Sequence, residues 1–248
     1  MRNWAILSAI AAASLTVTAC GEARFGDDEP GTRGTEVAAT GDVVTRSYAL
    51  NGFSEVVAAG PDSIVIRRGD AFSVRASGDR ALLDGLILKV DGNALEVRRR
   101  NGLNWSGEHA TITITLPALT GLVVAGSGDI NADTLTGDSA EVTVAGSGDV
   151  TLAGIDARKL EMSIAGSGSI TAAGKADEVE STIAGSGDIA GAGFTATKAE
   201  VSIIGSGGVT MTVTGTADVT TAGSGDVTIT GGATCTSNKM GSGEINCR

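Results

Sequence analysis

Aromatic side chains and histidine are scarce in this chain of 248 residues. Aromatics make up 3% of the sequence, and His109 is the one histidine. This scarcity argues against a Ser/His/Asp triad, a histidine-ligated zinc or haem, and most histidine acid–base chemistry. It also argues against a pocket walled by aromatic rings, so the core has to be built from Val, Ile, Leu and Ala.

Proline is equally rare, whereas glycine is abundant. The sequence has 3 prolines and 37 glycines, and this glycine share is about twice the roughly 7% that is usual. The low proline content argues against collagen-like and proline-rich disordered chains. Because 42% of the residues are hydrophobic, the chain has enough apolar side chains for a core, in one domain of ordinary to large size or two small ones.

The first twenty residues have the features of an export signal. Arg2 precedes an almost wholly apolar or small stretch at residues 4–17, which is shorter than the roughly 20 residues that a membrane span needs. The segment ends Val-Thr-Ala-Cys at Cys20 and resembles a bacterial lipobox. We expect residues 1–19 to be removed and Cys20 to carry a lipid anchor. An ordinary secretory signal with a chance cysteine is the alternative.

Two further features bear on location. Gly21 follows Cys20 where an Asp is the usual signal for retention in the inner membrane, so we expect the outer membrane. Residues 20–45 are acidic and lack an apolar period, which predicts a flexible tether. The folded part would then lie just off a membrane surface.

The charge is acidic and unevenly distributed. The formal net charge is −11, which makes nucleic acid a poor partner. Residues 101–248 carry six basic and sixteen acidic residues. Residues 46–100 instead carry seven acidic residues and nine basic ones, which are Arg46, Arg67, Arg68, Arg75, Arg80, Lys89, Arg98, Arg99 and Arg100.

A tripeptide repeat dominates the second half of the chain. Gly-Ser-Gly occurs seven times at intervals of 18 to 20 residues, at 126–128, 146–148, 166–168, 185–187, 205–207, 223–225 and 241–243. Two residues after each triplet comes a β-branched residue, in turn Ile130, Val150, Ile170, Ile189, Val209, Val227 and Ile245. On both sides of the triplets mostly apolar residues alternate with small polar ones, which is typical of half-buried strands.

This pattern predicts a parallel β-helix. A unit of strand, glycine corner and strand cannot bury its own apolar face, so successive units must stack. We expect about seven regular coils over residues 121–248, after irregular entry coils over residues 46–120, in one all-β domain spanning 46–248. Asp91-Gly92 in the entry segment is a hairpin signal. A β-sandwich also has regular short strands but does not need the same tripeptide at each turn.

The same residues carry a family resemblance. The lipobox, the opening Phe53-Ser-Glu-Val, the segment 86–97 and turns such as Gly128-Asp-Ile-Asn resemble the family called putative autotransporter-adhesin head domain, or GIN domain. The resemblance covers about residues 46–248. It implies an exported bacterial protein with a single-stranded right-handed β-helix, and it offers no catalytic residue to transfer.

The residue after each triplet is often acidic. A stacked row of carboxylates would suit Ca²⁺, which takes oxygen ligands, but an aspartate at such a place also hydrogen-bonds its local turn. Ser169 and Gly208 interrupt the row. The calcium candidates are Asp129, Asp149, Asp188 and Asp226.

A second row lies one residue after the β-branched position, and by parity it faces outward. It is compatible with polysaccharide binding or with ice binding, although threonine is also a good solvent-facing strand residue. Its members are Asn131, Thr151, Thr171, Ala190, Thr210, Thr228 and Asn246.

One basic run offers a further candidate for ligand binding. Arg98, Arg99 and Arg100 precede a loop that contains Trp105, so this segment could bind an acidic glycan, or it could be a solvated strand edge. An enzyme acting on acidic polysaccharide is the catalytic alternative, but the repeats offer only scattered basic residues and no loop long enough to wall a cleft.

With Cys20 lipidated, two cysteines remain in an oxidising compartment. Cys235 and Cys247 both have inward parity in the last coil, so we expect a disulfide between them that closes this coil. Two buried free thiols are the alternative. The sequence thus predicts a lipid-anchored binding or structural module that uses no cofactor. The binding interpretation predicts a glycan or an envelope protein as its partner, and the structural interpretation predicts none.

Overall fold

The computed structural model describes residues 35–37, 41–100, 103–105 and 109–248. These residues fall within one compact unit, Gly34–Arg248. Strands account for about 72% of the described residues, and the architecture is a β-solenoid of about six turns. The expected signal peptide, Cys20 and most of the tether lie outside the described residues.

The chain forms an N-terminal cap, residues 41–119, and the stacked turns that follow it. The elements up to the end of the cap are β1 (Thr35–Val37), β2 (Val43–Tyr48), β3 (Glu55–Ala59), β4 (Ser63–Arg68), β5 (Ser73–Asp79), α1 (Arg80–Asp84), β6 (Leu86–Asp91), β7 (Ala94–Arg99), β8 (Leu103–Trp105) and β9 (Thr111–Leu116). The stacked turns comprise β10 (Gly121–Gly126), β11 (Ile130–Ala132), β12 (Leu135–Gly146), β13 (Val150–Gly166), β14 (Ile170–Gly185), β15 (Ile189–Gly205), β16 (Val209–Gly223), β17 (Val227–Thr230), β18 (Thr234–Gly241) and β19 (Ile245–Cys247).

Each long strand pairs in parallel with the equivalent strand of the next turn. Val142 lies opposite Met162, Met162 opposite Ser181, and Ser181 opposite Val201. The predicted parallel β-helix is therefore confirmed. The seven Gly-Ser-Gly triplets mark seven corners, and seven corners delimit six complete turns, which explains the difference from the expected seven coils.

The β-branched residue after each corner fills the centre of the core. From Ile130 to Val227 these side chains are at most 1% exposed. Ile64 in the cap lies opposite Ile130 and is also fully buried. The column therefore starts in the cap, and it ends at Ile245, which is half-buried because no further turn covers it.

The glycine corners stack in direct contact. Gly146 has a φ of 147°, which L side chains rarely adopt, and a Cβ there would overlap the carbonyl oxygen of Gly126 in the preceding turn. A Cβ at Gly148, the third residue of the triplet, would overlap the carbonyl oxygen of Gly128. Both glycines are therefore required by the close approach of successive corners, whereas Ser147 between them is exposed.

The cap contains a layer whose place in the stack differs from its place in the chain. Strands β3 and β4 pair in parallel with β7 and β9 on one side and with β10 and β11 on the other. The chain therefore forms the middle layer of β3 and β4 before the outer layer of β7 and β9. It then returns to the other side of the middle layer, where β10 and β11 begin the repeated turns.

Antiparallel pairings complete the cap, and the expectation of irregular entry coils included the hairpin but not the pairing of β2, β5 and β9. Strand β5 runs antiparallel to β9, and β2 runs antiparallel to β5. Strands β6 and β7 form the hairpin predicted at Asp91-Gly92, where Gly92 has a φ of 61°. Strands β2 and β6 are thus the last strands at this end of the solenoid.

A short helix covers the core at the same end. The Asp79 side chain accepts a hydrogen bond from the Ala81 N–H at 2.9 Å and caps α1. Leu82 and Leu83 of this helix are at most 2% exposed. The helix therefore buries the apolar end of the solenoid core, and the sequence analysis predicted no helix here.

Two hydroxyl groups are buried in the core of the turns without a hydrogen-bond partner among the described residues. They belong to Ser181 and Thr221, whose side chains occupy inward columns otherwise filled largely by apolar residues. Thr221 lies opposite Ile203 of the preceding turn and is 2% exposed. Each such group costs free energy because its hydration is lost and not replaced.

We expect Thr221→Val to raise the free energy of unfolding by about 1 kcal/mol, because the substitution keeps the shape and removes the unsatisfied hydroxyl. Urea denaturation measures the change. The control is Thr220→Val, an exposed neighbour on the same strand, which should change stability by less than about 0.5 kcal/mol. A destabilised Thr221→Val variant would contradict the inferred cost of the buried hydroxyl.

Candidate binding faces of the solenoid

The outward row predicted after the triplets forms an aligned surface column, here called the threonine face. The strand register aligns its members in one column, and their side chains are exposed or half-buried, which confirms the outward parity. The column consists of Asn131, Thr151, Thr171, Ala190, Thr210, Thr228 and Asn246. Except at Ala190, hydroxyl and amide groups thus recur at the strand spacing of about 4.8 Å along the rod.

The threonine face continues into the cap. Asn131 pairs with Val65, Val65 with Thr113, and Thr113 with Arg75. Arg75 in turn pairs with Ser47 at the edge of the sheet. The column therefore crosses eleven strands, or about 48 Å at a spacing of 4.8 Å.

The aspartates after the triplets link successive turns. The Oδ1 atom of Asp129 accepts a hydrogen bond from the Asp149 N–H at 3.0 Å, and that of Asp149 accepts from the Ser169 N–H at 2.8 Å. Asp188 and Asp226 accept in the same way from the N–H groups of Gly208 and Glu244, at 2.7 Å each. The acceptor role was expected within the local turn, but the partner belongs to the next turn.

This bonding gives the carboxylates a structural role that needs no cation. In the part of the chain that the structure describes, no group of three or more His, Cys, Asp or Glu side chains could hold a metal ion. The calcium prediction for Asp129, Asp149, Asp188 and Asp226 therefore rests on the sequence alone.

A second acidic column was missed by the sequence analysis. It lies on the strand that precedes each corner, five residues before the first glycine of the triplet, and this fixed offset was visible in the sequence. The register stacks the five carboxylates on adjacent strands, and they are Glu141, Glu161, Glu180, Glu200 and Asp218. We call the surface around this column the acidic face.

Neighbouring columns partly offset the repulsion on the acidic face. The Lys159 ammonium lies 3.5 Å from the Glu180 carboxylate, and the Thr143 hydroxyl donates to the Glu141 carboxylate at 3.1 Å. Such exposed ion pairs contribute little, on the order of 0–1 kcal/mol. The column thus remains a row of negative charge along the rod.

A column of small apolar side chains borders the same face. It contains Ala145, Ala165 and Ala184, followed by Ile204 and, two turns later, Met240. Ile204 is 64% exposed and Met240 is 72% exposed. They add an apolar strip to an otherwise polar surface, which is a feature that protein interfaces use.

The structure separates the three arginines of the basic run. The Arg99 side chain is only 9% exposed and donates to Asp62 through both Nε, at 2.9 Å from Oδ2, and a terminal nitrogen, at 2.5 Å from Oδ1. The Ala110 N–H donates to the same carboxylate at 2.8 Å. Arg99 is therefore engaged inside the cap, which leaves the half-buried Arg98 and the exposed Arg100 for a ligand.

The pairing of Arg99 with Asp62 follows from the sequence of the first corner. The first corner of the cap reads Gly60-Pro61-Asp62 instead of Gly-Ser-Gly, so Asp62 takes the place of the third glycine. Its carboxylate is only 4% exposed, and such a buried charge needs a partner such as Arg99. The side chain of Trp105 lies outside the described residues.

A shallow groove crosses the turns on a further face. It is lined in part by Asp156, Ala157, Lys175 and Ala176. The Lys175 ammonium lies 3.5 Å from the Asp156 carboxylate, and both side chains are largely exposed. The groove offers a carboxylate and an amine to solvent, but it does not enclose a substrate.

The predicted disulfide is confirmed. Cys235 and Cys247 are bonded, with their Cα atoms 6.5 Å apart. Cys235 is half-buried and Cys247 is exposed, although both were expected to face the core. The inward columns lose their cover at the last turn, so its side chains, including Ser237 and Lys239, meet solvent.

Across the described residues, no helix has the length and apolar character to cross a membrane.

We expect Asp149→Ala to lower the free energy of unfolding by about 0.5–1 kcal/mol, because the Ser169 N–H loses its acceptor. Asp149→Asn keeps an oxygen acceptor without the charge and should lose less. Thr151→Ala, an exposed change on the same turn, controls for the loss of side-chain atoms. Chemical denaturation of the three variants separates these cases, and wild-type stability of Asp149→Ala would contradict the role of the carboxylate.

Comparisons with known proteins agree with this architecture. The chain matches the family model described as putative auto-transporter adhesin, head GIN domain, over residues 52–233. No curated protein matches the chain.

Several solved structures share the fold. A putative adhesin from Bacteroides fragilis is 23% identical, with a TM-score of 0.79 over 87% of this chain and 100% of its own. A putative lipid binding protein from Parabacteroides distasonis is 24% identical, with a TM-score of 0.72 over 86% of this chain and 100% of its own. A putative adhesin from Parabacteroides merdae is 19% identical, with a TM-score of 0.68 over 86% and 99% of the two chains. Because the family match spans most of its length, this chain belongs to the family described as the head GIN domain of putative auto-transporter adhesins.

Proposed function

We propose that this protein is a lipid-anchored module of the bacterial cell envelope, in the outer membrane, and that its solenoid binds an extended glycan along the threonine face. The observation that carries the binding proposal is the outward column in which hydroxyl or amide groups occupy six of seven successive positions, with Ala190 as the exception. Hydroxyls and amides donate and accept hydrogen bonds, as the hydroxyls of a polysaccharide do. The adhesin description of the family supports the same kind of role.

The shape of the face favours a polymer over a small molecule. A small ligand is usually held in a concave, mostly apolar pocket, whereas the threonine face is a long outward column of mostly polar side chains. An extended chain can contact many rungs at once, so weak single contacts add up through multivalency. Binding should therefore strengthen with the length of the glycan.

An envelope protein is the second candidate partner. The exposed Ile204 and Met240 beside the acidic face favour it, because apolar side chains rimmed by charge are common at protein interfaces. The catalytic alternative, action on acidic polysaccharide, would rely on the Asp156 and Lys175 pair in the groove, and turnover of polyuronides is its direct test.

The binding proposal predicts a face-specific effect. The triple variant Thr151→Arg, Thr171→Arg and Thr210→Arg places bulky charged side chains on the threonine face and should weaken binding to envelope polysaccharide at least tenfold. The matched control is Thr143→Arg, Thr182→Arg and Thr220→Arg, on the outward column beside the acidic face. Glycan arrays and calorimetry with the mature protein give the affinities. Equal loss in both variants, or none in either, would contradict a threonine-face site.

The anchor proposal predicts a change in fractionation. Cys20→Ala removes the residue that receives the lipid, so the protein should move from the membrane to the soluble fraction. Gly21→Asp keeps the cysteine and introduces the usual inner-membrane retention signal, so this variant should stay membrane-bound but move to the inner membrane. A Cys20→Ala protein that still sediments with outer membranes would refute the lipid anchor.

A further inference from the structure

The two ends of the solenoid differ in charge. The segment 46–100, which forms most of the cap, has more basic than acidic residues, whereas the rest of the folded chain is strongly acidic. The acidic column and the aspartates of the corners lie in the repeated turns. The whole cap, residues 41–119, carries nine basic and nine acidic residues, so it is formally neutral and is the less negative end of an otherwise acidic rod.

Several acidic side chains of the cap are already engaged by neighbouring groups. Asp84 pairs with Arg46 at 2.5 Å, and Asp91 pairs with Lys89 at 2.6 Å, which holds the pKa of Asp91 below its ordinary value. Asp62 is buried against Arg99, and Asp79 caps the helix. These carboxylates do not compensate the remaining arginines of the cap.

Three exposed arginines remain around the capping helix α1, and we call them the basic end. Arg75 lies on β5, next to the terminal strand β2, and Arg80 is the first residue of the helix. Arg100 donates its backbone N–H to the carbonyl of Gly85, which ends the helix. Within the described ranges none of the three forms an ion pair, although Asp42 lies nearby, its carbonyl accepting from the Arg80 N–H.

The chain enters the fold at this same end. Strand β2 begins at Val43 and forms the outer edge of the cap. Fourteen residues separate the proposed anchor at Cys20 from Thr35, where strand β1 begins, and their composition predicts a flexible chain that would span about 20 Å. The tether therefore joins the fold beside the basic end, and not at the acidic turns.

We propose that the basic end docks on the anionic headgroups of the bilayer to which the protein is tethered, so that the solenoid stands end-on and its turns project away. This proposal rests on the lipid anchor proposed above. An anionic surface attracts each nearby arginine by about 1 kcal/mol, or roughly fivefold in affinity, and only within a Debye length of about 8 Å at physiological salt. The acidic turns are repelled by the same surface.

The test measures the distance of each end from the bilayer in the lipidated full-length protein. A donor dye is attached at Thr45→Cys, on the terminal strand of the cap, or at Asn238→Cys, in the last turn; both positions are exposed. The native cysteines do not react, because Cys235 and Cys247 are bonded and Cys20 would carry lipid. The acceptor is a headgroup-labelled lipid in vesicles of phosphatidylcholine alone or with phosphatidylglycerol.

We expect energy transfer from position 45 to rise when phosphatidylglycerol is present and to fall again at about 1 M salt, where the Debye length is about 3 Å. Transfer from position 238, about 45 Å further along the rod at the strand spacing, should stay low throughout. The triple variant Arg75→Gln, Arg80→Gln and Arg100→Gln should lose the rise. Lys159→Gln, Lys175→Gln and Lys198→Gln remove the same charge from the turns and should keep it.

The other outcomes distinguish failure of the docking from failure of the anchor or of the end-on orientation. Protein that remains on the vesicles with equal transfer from position 45 in both lipid compositions overturns the docking and leaves the anchor intact. Protein that does not remain on phosphatidylcholine vesicles overturns the anchor instead. A rise at position 238 as large as that at position 45 overturns the end-on orientation, since the rod would then lie flat.

Discussion

The close stacking of glycine corners is the constraint on which the rest of the structure depends. At each turn, a corner sits directly on the carbonyl groups of the corner before it, at a distance that leaves no room for a Cβ. This contact fixes the register, so that equivalent residues align across six turns. The inward columns, the threonine face and the acidic face all follow from this one alignment.

The same alignment makes the turns depend on their neighbours. No single turn can bury its apolar side, so its stability comes from the turns above and below it. The two ends of the solenoid, which each lack one neighbouring turn, cover the apolar core in different ways. The cap covers the core with α1 and antiparallel strands, whereas the last turn is closed by the Cys235–Cys247 disulfide and exposes polar side chains on its inward columns.

Sequence reasoning predicted the solenoid, the hairpin and the disulfide, but it missed the capping helix, the Asp62–Arg99 pair and the repeated acidic column. The recurring triplet and the β-branched residue behind it were enough to predict the solenoid and the outward threonine column. The helix at Arg80–Asp84 occurs in a single copy of five residues and has no period to reveal it. Arg99 looked like a surface charge because its partner Asp62 lies 37 residues away, and such a pairing depends on the three-dimensional path of the cap.

The order in which the cap is layered has a consequence for folding. Because β3 and β4 are synthesised early but end between two later layers, their pairing with β7 and β9 closes long loops, which is slow. The opposite edge of the same layer then serves as the surface on which β10 and β11 assemble, and each later turn needs only its predecessor. Folding should thus consist of one slow nucleation in the cap, followed by rapid growth toward the C-terminus. A chain that crosses a membrane with its N-terminal end first would present these segments in the order that growth requires.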